Sequence, residues 1–559
     1  MSASPRRREP ANPVATGAGA EQIRSFSDTD KTSKYEVIII GAGVAGLSAA
    51  YRILTKRPGT KLLMLEARER VGGRVHSVDV GNGSVDLGAS FIHGVNGNPI
   101  MELSKKLGFE VTPSRMSMRA FMPDGSLVPQ EDIIRVGPRI FGTVFEWLPE
   151  ISQGASTEKD IPSDVESLAD RVFSKDSPIY ADTSEDANTE KKDEVFIAES
   201  TIRNFQGWTG APLDYVSLKW WGFNKDTEGG DGLLVKGYGP LIQWMKEEIE
   251  RLGAVIRLGE VVEMISTDEE SGVVVQSRHD NDTTRYEADY SVITLPLGVL
   301  KHDPPTFDPP LPIRRQQSIQ RLGSGLLDKV VLIYDKPWWS AEELKAGQSP
   351  APAADEDEDD EMGDPMINLL LPSKDNPTRL MGPSGGAPPN HKPNLHPGAF
   401  PPRSAEYLQQ NPNALMIFDV HAQNGVSALS IFVAGEWGDV MECCSEEETR
   451  AWAESVVKDY FKELVSGEVP SPSKVLRTTW REDKFAYGSY SYIPAGSTAN
   501  KNLGPASPVD QLEVSRTLWG RLYWAGEHTE LNQYASVHGA WSSGVREGDK
   551  VLVQLENRE

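Results

Sequence analysis

Gly41, Gly43 and Gly46 stand directly between an apolar run, Tyr35 to Ile40, and a run with helical periodicity, Val44 to Thr55. Glycines there leave backbone N–H groups unshielded at a helix N-terminus, an arrangement that receives a pyrophosphate. Glu66 closes the next apolar run, Lys61 to Glu66, where a carboxylate can accept hydrogen bonds from both hydroxyls of a ribose. The spacing therefore predicts a dinucleotide site. Beyond it, Gly72 and Gly73 allow close approach to a phosphate, and Arg74 adds a guanidinium fork suited to one. Four further residues could carry reactions. Lys329 lies among Leu326, Leu327, Val330, Val331 and Leu332, which favours burial over a snorkelling surface role. His93, in DLGASFIHG, can donate, accept or carry a proton near neutral pH, although a lone histidine suits a core equally well. Tyr490 and Tyr492 alternate in GSYSYIP, a strand spacing that fits a core and a pair of site-facing rings alike.

The elements that position these residues begin with a strand–helix–strand unit over Tyr35 to Glu66, which predicts an α/β fold with a parallel sheet. Residues 1–34, rich in Ser, Ala, Arg and Pro, read as a disordered leader. A low-complexity stretch over about 341–413 holds DEDEDDE, Asp355 to Glu361, then GPSGGAPPN and HPGAFPP, with only MINLLLP resembling a strand. It reads as a surface insertion. Strands are expected at Ala414 to Val420, Ala428 to Ala434 and Leu522 to Ala525, and helices at Glu446 to Leu464 and His538 to Leu555. The length of 559 residues suggests at least two domains.

The continuation EARERVGGR, Glu66 to Arg74 with Arg68 inside it, resembles the flavin amine oxidase family. So do AVIRLGEVVEMI, ITLPLGVLK (Ile293 to Lys301) and the C-terminal YWAGEHTE and YASVHGAWSSG. The resemblance covers Tyr35 to Val553 apart from the insertion. It implies FAD rather than NAD, held by a Rossmann-like domain built from separated segments, 35–110, 233–302 and 481–559. An α+β substrate-binding domain of the amine oxidase type would take 111–232 and 303–480. By the same resemblance Val262 presents backbone to adenine, Gly526 and Glu527 meet the ribityl or phosphate region, and the Val537 N–H meets the pyrimidine carbonyl. The last helix would then aim its N-terminus at flavin N1 and O2, where negative charge develops on reduction. Monoamine oxidases tether the flavin to a cysteine near the GSYSY position. This sequence has none there, so FAD is expected to be non-covalent.

The implied chemistry removes a hydride equivalent from the carbon beside an amine nitrogen. The imine hydrolyses to an aldehyde plus an amine, and dioxygen is reduced to hydrogen peroxide. The resemblance gives Lys329 the family lysine that holds a water against flavin N5. It sets His93 facing the substrate, as in animal-type polyamine oxidases, and one tyrosine, Tyr492 in preference to Tyr490, against the reacting amine. Ser536 falls where monoamine oxidases place a second tyrosine, and a small residue opens the cage to a long substrate. A polycation needs acidic groups along its path, for which Asp226, Glu228 and Asp231 are the candidates. The reading is an FAD-dependent polyamine oxidase acting on spermine, spermidine or acetylated forms. GSYSY and VSLKWW also resemble histone-lysine demethylases, so a demethylase-like amine oxidase is the alternative, followed by a monoamine oxidase with non-covalent flavin. Against the demethylase, the leader leaves no room for a small helical domain, and the insertion lacks the heptads of a helical tower. A degenerate, inactive scaffold is disfavoured by Lys329, Glu66 and Arg74.

Composition narrows the remaining classes. With 57 basic and 82 acidic residues the formal charge is −25, of which DEDEDDE holds seven and the rest is spread along the chain. Such a field disfavours nucleic acid; it promotes solubility first and steering of cations second. The two cysteines, Cys443 and Cys444, are adjacent in VMECCSEEE, give no disulfide framework or metal spacing, and read as buried small residues. No metal is expected. No signal h-region, no run of eighteen apolar residues and no peroxisomal tripeptide is present. A cytoplasmic enzyme without membrane or obligatory protein partner is the expectation.

Overall fold

A computed structural model describes residues 34–114, 119–153, 161–181, 189–225, 227–268, 272–340, 366–370, 398–400, 415–465, 467–496 and 503–558. Residues 1–33 of the predicted leader, the acidic run, most of the insertion and Asp226 lie outside them, while Lys34 already belongs to the first strand.

The run KYEVIII forms a strand over Lys34–Ile40, as its β-branched residues favour. Parallel strands flank it: Leu62–Leu65 on one side and Asp282–Ile293 on the other. Leu522–Trp524 adds to the far side of Asp282–Ile293, also parallel, and Val255–Arg257 pairs with Leu62–Leu65. Antiparallel strands Val261–Asp268 and Gly272–His279 extend the sheet, and Thr306–Asp308 closes it to eight strands. The register decides where the site lies. Ile40 is level with Leu65 and with Ile293, and Ile293 with Trp524. The next residues, Gly41, Glu66, Thr294 and Ala525, therefore stand in a row along one carboxyl edge, where parallel sheets receive ligands. The stretch AVIRLGEVVEMI is not one strand. It divides into Val255–Arg257 and Val261–Asp268, two separate positions of the sheet, with Glu260 at the break.

Three helices bury one face of this sheet: Val44–Lys56, Gly239–Arg251 and Val537–Glu556. The first and last touch so closely that a Cβ on Gly544 would fall 2.0 Å from Ser48 Oγ and 2.1 Å from the Ala45 carbonyl. The Ser48 hydroxyl donates to the Trp541 carbonyl at 3.0 Å, across 493 residues of sequence.

A second, six-stranded sheet runs Lys474–Arg477, Leu327–Ile333, Ala428–Ala434, Leu415–Asp419, Met366–Leu369, Arg119–Phe121. Alternation along Leu327–Ile333 sends Val330 and Leu332 into a core with the helix Glu446–Phe461. Lys329, Val331 and Ile333 take the opposite face, toward Phe418 and Phe432. A helical layer, Gln130–Phe141, Leu148–Ser152 and Thr189–Arg203 with a π-turn at Gly142–Trp147, forms a third core with Tyr492. Residues 34–559 make one compact unit, with both sheets inside it. Among the described residues no helix is long and apolar enough to cross a membrane.

Candidate active site

A cavity of about 800 Å³ opens along the carboxyl edge of the eight-stranded sheet and continues between that sheet and the strand of Lys329. Gly41, Gly43, Glu66, Arg68, Gly72, Gly73, Arg74, Val262, Gly526, Glu527 and Val537 line one end. His93, Asp231, Lys329, Tyr490, Tyr492 and Ser536 line the other. Gly46 is the one cofactor-site expectation that does not reach the cavity. Its Cβ would sit 2.0 Å from the Gly41 carbonyl, so it serves the strand–helix contact instead.

The residues at the first end fit a dinucleotide. Gly43 caps the helix Val44–Lys56 without any side-chain bond, and that helix has no acid in its first turn, so its N–H groups and positive dipole end are free for an anion. A Cβ on Gly43 would meet nothing within 4 Å, because the space ahead of it belongs to the cavity. Glu66 is 6% exposed; its Oε2 accepts from the Ala42 N–H at 2.7 Å and its Oε1 from the Arg68 N–H at 2.9 Å. Burial lifts this carboxyl above the usual range, partly offset by those two N–H groups and the charges of Arg68 and Arg70. One prediction follows from the contrast between glycines. Gly43→Ala leaves the thermal stability of FAD-free protein unchanged while weakening FAD binding, whereas Gly46→Ala lowers that stability itself; a Gly43→Ala protein that binds FAD normally would show that the helix end does not receive the cofactor.

Arg74 does more than the sequence suggested. Its Nη1 donates to the Ser489 carbonyl at 2.7 Å and to Glu527 Oε1 at 2.9 Å. Glu527 Oε2 in turn accepts from the Ser491 hydroxyl at 2.6 Å and the Ala535 N–H at 2.9 Å. Burial raises the Glu527 carboxyl, but the Arg74 and His528 charges and the Ser491 hydroxyl outweigh it and hold the group low. Arg68 ties the same region together through Asp483 at 2.8 Å. Ser536 caps the last helix: its Oγ accepts from the Gly539 N–H at 2.9 Å and donates to the Gln533 carbonyl at 2.6 Å. No acid occupies the first turn of that helix, so its dipole faces the cavity uncompensated. Cys443 and Cys444 do not line the cavity, and both are free thiols.

At the second end Lys329 is 5% exposed. Its Nζ donates to the Asp86 carbonyl at 2.9 Å, the Gly88 carbonyl at 2.6 Å and the Ser90 hydroxyl at 2.6 Å, using all three ammonium protons. Burial pulls its pKa down to about 8 against the pull of the Asp86 carboxylate. His93 stacks on Phe91, and its Nδ1 lies 2.9 Å from Asp231 Oδ2. Burial raises the Asp231 carboxyl, but the hydrogen bond and charge of His93 and the Gly94 N–H bring it below the usual range. Tyr492 is 8% exposed, wedged over Gly323, and belongs to the helical core. Tyr490 is the more open ring, and its hydroxyl donates to the Gly207 carbonyl. Of the two expected acidic residues that are described, Asp231 reaches the cavity. Glu228 is exposed and does not line it, because its backbone bridges Asn96 at the surface.

Two features escaped the sequence. An aromatic wall of Phe145, Phe205 and Trp208, with ring centroids 5.1–5.9 Å apart, lines the far part of the cavity. Its only local trace is the helical spacing of Phe141 and Phe145. Ser90 and the carbonyls of Asp86 and Gly88, which hold Lys329, lie in the same motif as His93, yet two of the three are backbone atoms that no residue type announces. Among the described residues no cluster could hold a metal ion.

Comparison with known proteins gives the family. Over 549 residues the chain is 28% identical to the rice (Oryza sativa subsp. japonica) protein named lysine-specific histone demethylase 1 homolog 3, covering 96% of this chain but 56% of that protein. It is 26% identical to rice polyamine oxidase 4 over 530 residues, 92% of this chain and 88% of the relative. It is also 26% identical to polyamine oxidase 2 of Arabidopsis thaliana, covering 96% and 91%. The model of the flavin containing amine oxidoreductase family matches residues 44–552. Since that match runs from the helix behind the glycine loop to the helix that closes the cavity, the chain belongs to this family and is an FAD-dependent amine oxidase.

Proposed function

We propose that the amine is a polyamine, oxidised at a carbon beside one of its nitrogens. The observation that carries this reading is the extent of the cavity: besides Lys329 and Tyr490, its lining takes in Phe145 and Trp208, which are 37% and 36% exposed. A short monoamine would leave that passage unfilled, whereas a linear chain of methylenes and nitrogens can lie along its aromatic walls, its cationic nitrogens against the ring faces. Ser536, small and opposite the tyrosines, keeps the passage open. The two relatives named polyamine oxidases are spanned nearly whole, whereas the chain spans 56% of the demethylase homolog. Both sets support amine oxidation.

Bound FAD supplies the two-electron acceptor, held by Glu66, the glycine loop, Val262 and the N-terminus of the last helix. The remaining tasks fall to side chains. An alkyl amine with a pKa of about 10.4 arrives protonated, and each unit between that value and the working pH costs about 1.4 kcal/mol. Removal of its proton is the first requirement. His93, oriented by Asp231, takes that proton at its other ring nitrogen. Tyr490 and Tyr492 bound the nitrogen with their rings, and Lys329 fixes the floor of the site through Asp86, Gly88 and Ser90.

Anaerobic titration with spermine, spermidine, their acetylated forms, benzylamine and a methyl-lysine peptide tests the proposal. Polyamines are expected to bleach the visible flavin absorbance, and admitted dioxygen to yield hydrogen peroxide. Bleaching by the methyl-lysine peptide alone would replace the polyamine with a protein substrate. His93→Ala lowers turnover and alters the pH profile of kcat/KM; a profile that matches the wild type would return His93 to a structural role.

A further inference from the structure

Behind the strand of Lys329 lie two carboxyl groups that none of the steps above uses. Side chains alternate along Leu327–Ile333, so Asp328 is turned away from the cavity that Lys329 lines, and it is fully buried. Glu442, the last residue of the helix Gly435–Glu442, is 5% exposed. The two side chains are hydrogen-bonded to each other. An ionised carboxylate only accepts, so a bond between two carboxyls exists only where one of them keeps its proton. The remaining contacts agree. Asp328 Oδ1 accepts from the Thr478 hydroxyl at 2.7 Å and the Trp480 N–H at 3.1 Å, while no N–H or hydroxyl among the described residues reaches Oδ2.

The charges packed around the pair do not replace that proton. Asp439, on the helix of Glu442, is a third buried acid, and Glu482 and Cys443 bring no cation. Arg481 is wholly buried, but its Nε donates to Asp439 Oδ1 at 3.2 Å and its Nη1 to the Ser324 carbonyl at 2.9 Å. Arg477 is held by the Cys444 carbonyl at 2.6 Å, and the Lys329 ammonium by its three acceptors on the opposite face. Burial raises both carboxyls; the Asp439 charge raises Asp328 further, and the Asp328 charge raises Glu442.

What the pair grips reaches the cavity. Glu442 accepts from the Arg481 and Glu482 N–H groups, each at 2.8 Å. The Thr478 hydroxyl that donates to Asp328 accepts from the Lys329 N–H at 2.9 Å, and the Thr478 N–H donates to the Lys329 carbonyl at 3.0 Å. Trp480, between these anchors, lines the cavity. We infer that Asp328 and Glu442 are positioning residues that share one proton, which clamps the segment Thr478–Glu482 against the strand of Lys329 and so keeps Lys329 and Trp480 in the cavity wall.

The rate part of this assignment rests on Lys329 acting in amine oxidation, as proposed above, but not on the amine being a polyamine. A proton kept by the folded protein and released on unfolding contributes stability that is complete in acid and is lost as pH rises past the ordinary carboxylate value of about 4.3. Glu442→Gln and Asp328→Asn replace the shared proton with an amide N–H that does not titrate. In denaturant titrations of FAD-loaded enzyme between about pH 6 and 10, the unfolding equilibrium constant of the wild type is expected to climb, relative to either amide variant, by up to about tenfold per pH unit. Parallel curves overturn the shared proton. Anaerobic stopped-flow reduction, with whichever amine of the panel bleaches the wild type, tests the positioning. Glu442→Leu removes the clamp and is expected to slow the limiting rate about tenfold or more with FAD still bound, whereas the amide variants stay near the wild-type rate at neutral pH and lose less of it in alkali. A destabilised Glu442→Leu enzyme that reduces flavin at the wild-type rate overturns the positioning role. Infrared spectra of the wild type need no variant: absence of the C=O band of a protonated carboxyl at neutral pH overturns the assignment outright. Bleaching by no amine would refute the oxidation reading and the rate part with it, and the stability comparison would still judge the shared proton.

Discussion

Lys329→Met is expected to slow amine-driven flavin reduction or its reoxidation by about two to four orders of magnitude, the range of a positioned proton-handling group. FAD is expected to stay bound, because the residues proposed to hold it lie elsewhere in the cavity. Methionine matches the apolar stem of lysine but supplies no donor, so the Asp86 and Gly88 carbonyls and the Ser90 hydroxyl lose the group that gathers them. The pH dependence gives an independent check. A lysine whose folded pKa is depressed to about 8 sheds its proton before the unfolded chain does, at about 10.4. Between those values the unfolded chain binds more protons, so wild-type stability rises with pH there, and it is lowest, relative to a variant without the amine, below about 8. Denaturant titrations should therefore show the stability of wild type minus Lys329→Met climbing through that window and flat beneath it. Stopped-flow absorbance measures the rate, and unchanged rates in both half-reactions would remove Lys329 from the mechanism.

The second large effect is expected at Glu66. Glu66→Ala deletes the acceptor of a ribose and at once orphans the N–H groups of Ala42 and Arg68. At about 1–3 kcal/mol for each buried donor left unsatisfied, FAD affinity falls by about two to three orders of magnitude, and the protein purifies nearly colourless. Glu66→Gln keeps acceptor oxygen for one N–H and is expected to fall between. Fluorescence of FAD released on dilution measures the affinity. A yellow Glu66→Ala protein with wild-type affinity would place the ribose elsewhere.

How much of this was legible in the sequence depends on the range of the signal. Local patterns were read closely: Val44 to Thr55 became Val44–Lys56, Ala428 to Ala434 is a strand as predicted, and His538 to Leu555 became Val537–Glu556. The glycine loop and Glu66 form one short-range motif, so their convergence could be read from spacing alone. Roles set by tertiary contact were not readable. Gly46 looked like a phosphate glycine but is packed against the Gly41 carbonyl, and the sequence did not show that Tyr492, which lines the cavity, is also wedged against Gly323. Arg74 was read as a phosphate ligand, yet its bond to Glu527 joins positions 453 residues apart, a separation at which no pattern operates.

The contact between the first and last helices has a consequence for biosynthesis. At about 5–20 residues per second on the ribosome, the 493 residues separating Ser48 from Trp541 take roughly 25–100 s to emerge. Throughout that interval the small-residue face of the first helix, shaped for Gly544, has nothing to cover it. A chain cut between the last strand, which ends at Trp524, and the last helix, which begins at Val537, keeps every strand of the large sheet but is expected to lose much of its yield as folded protein, because that helix supplies part of the sheet's cover.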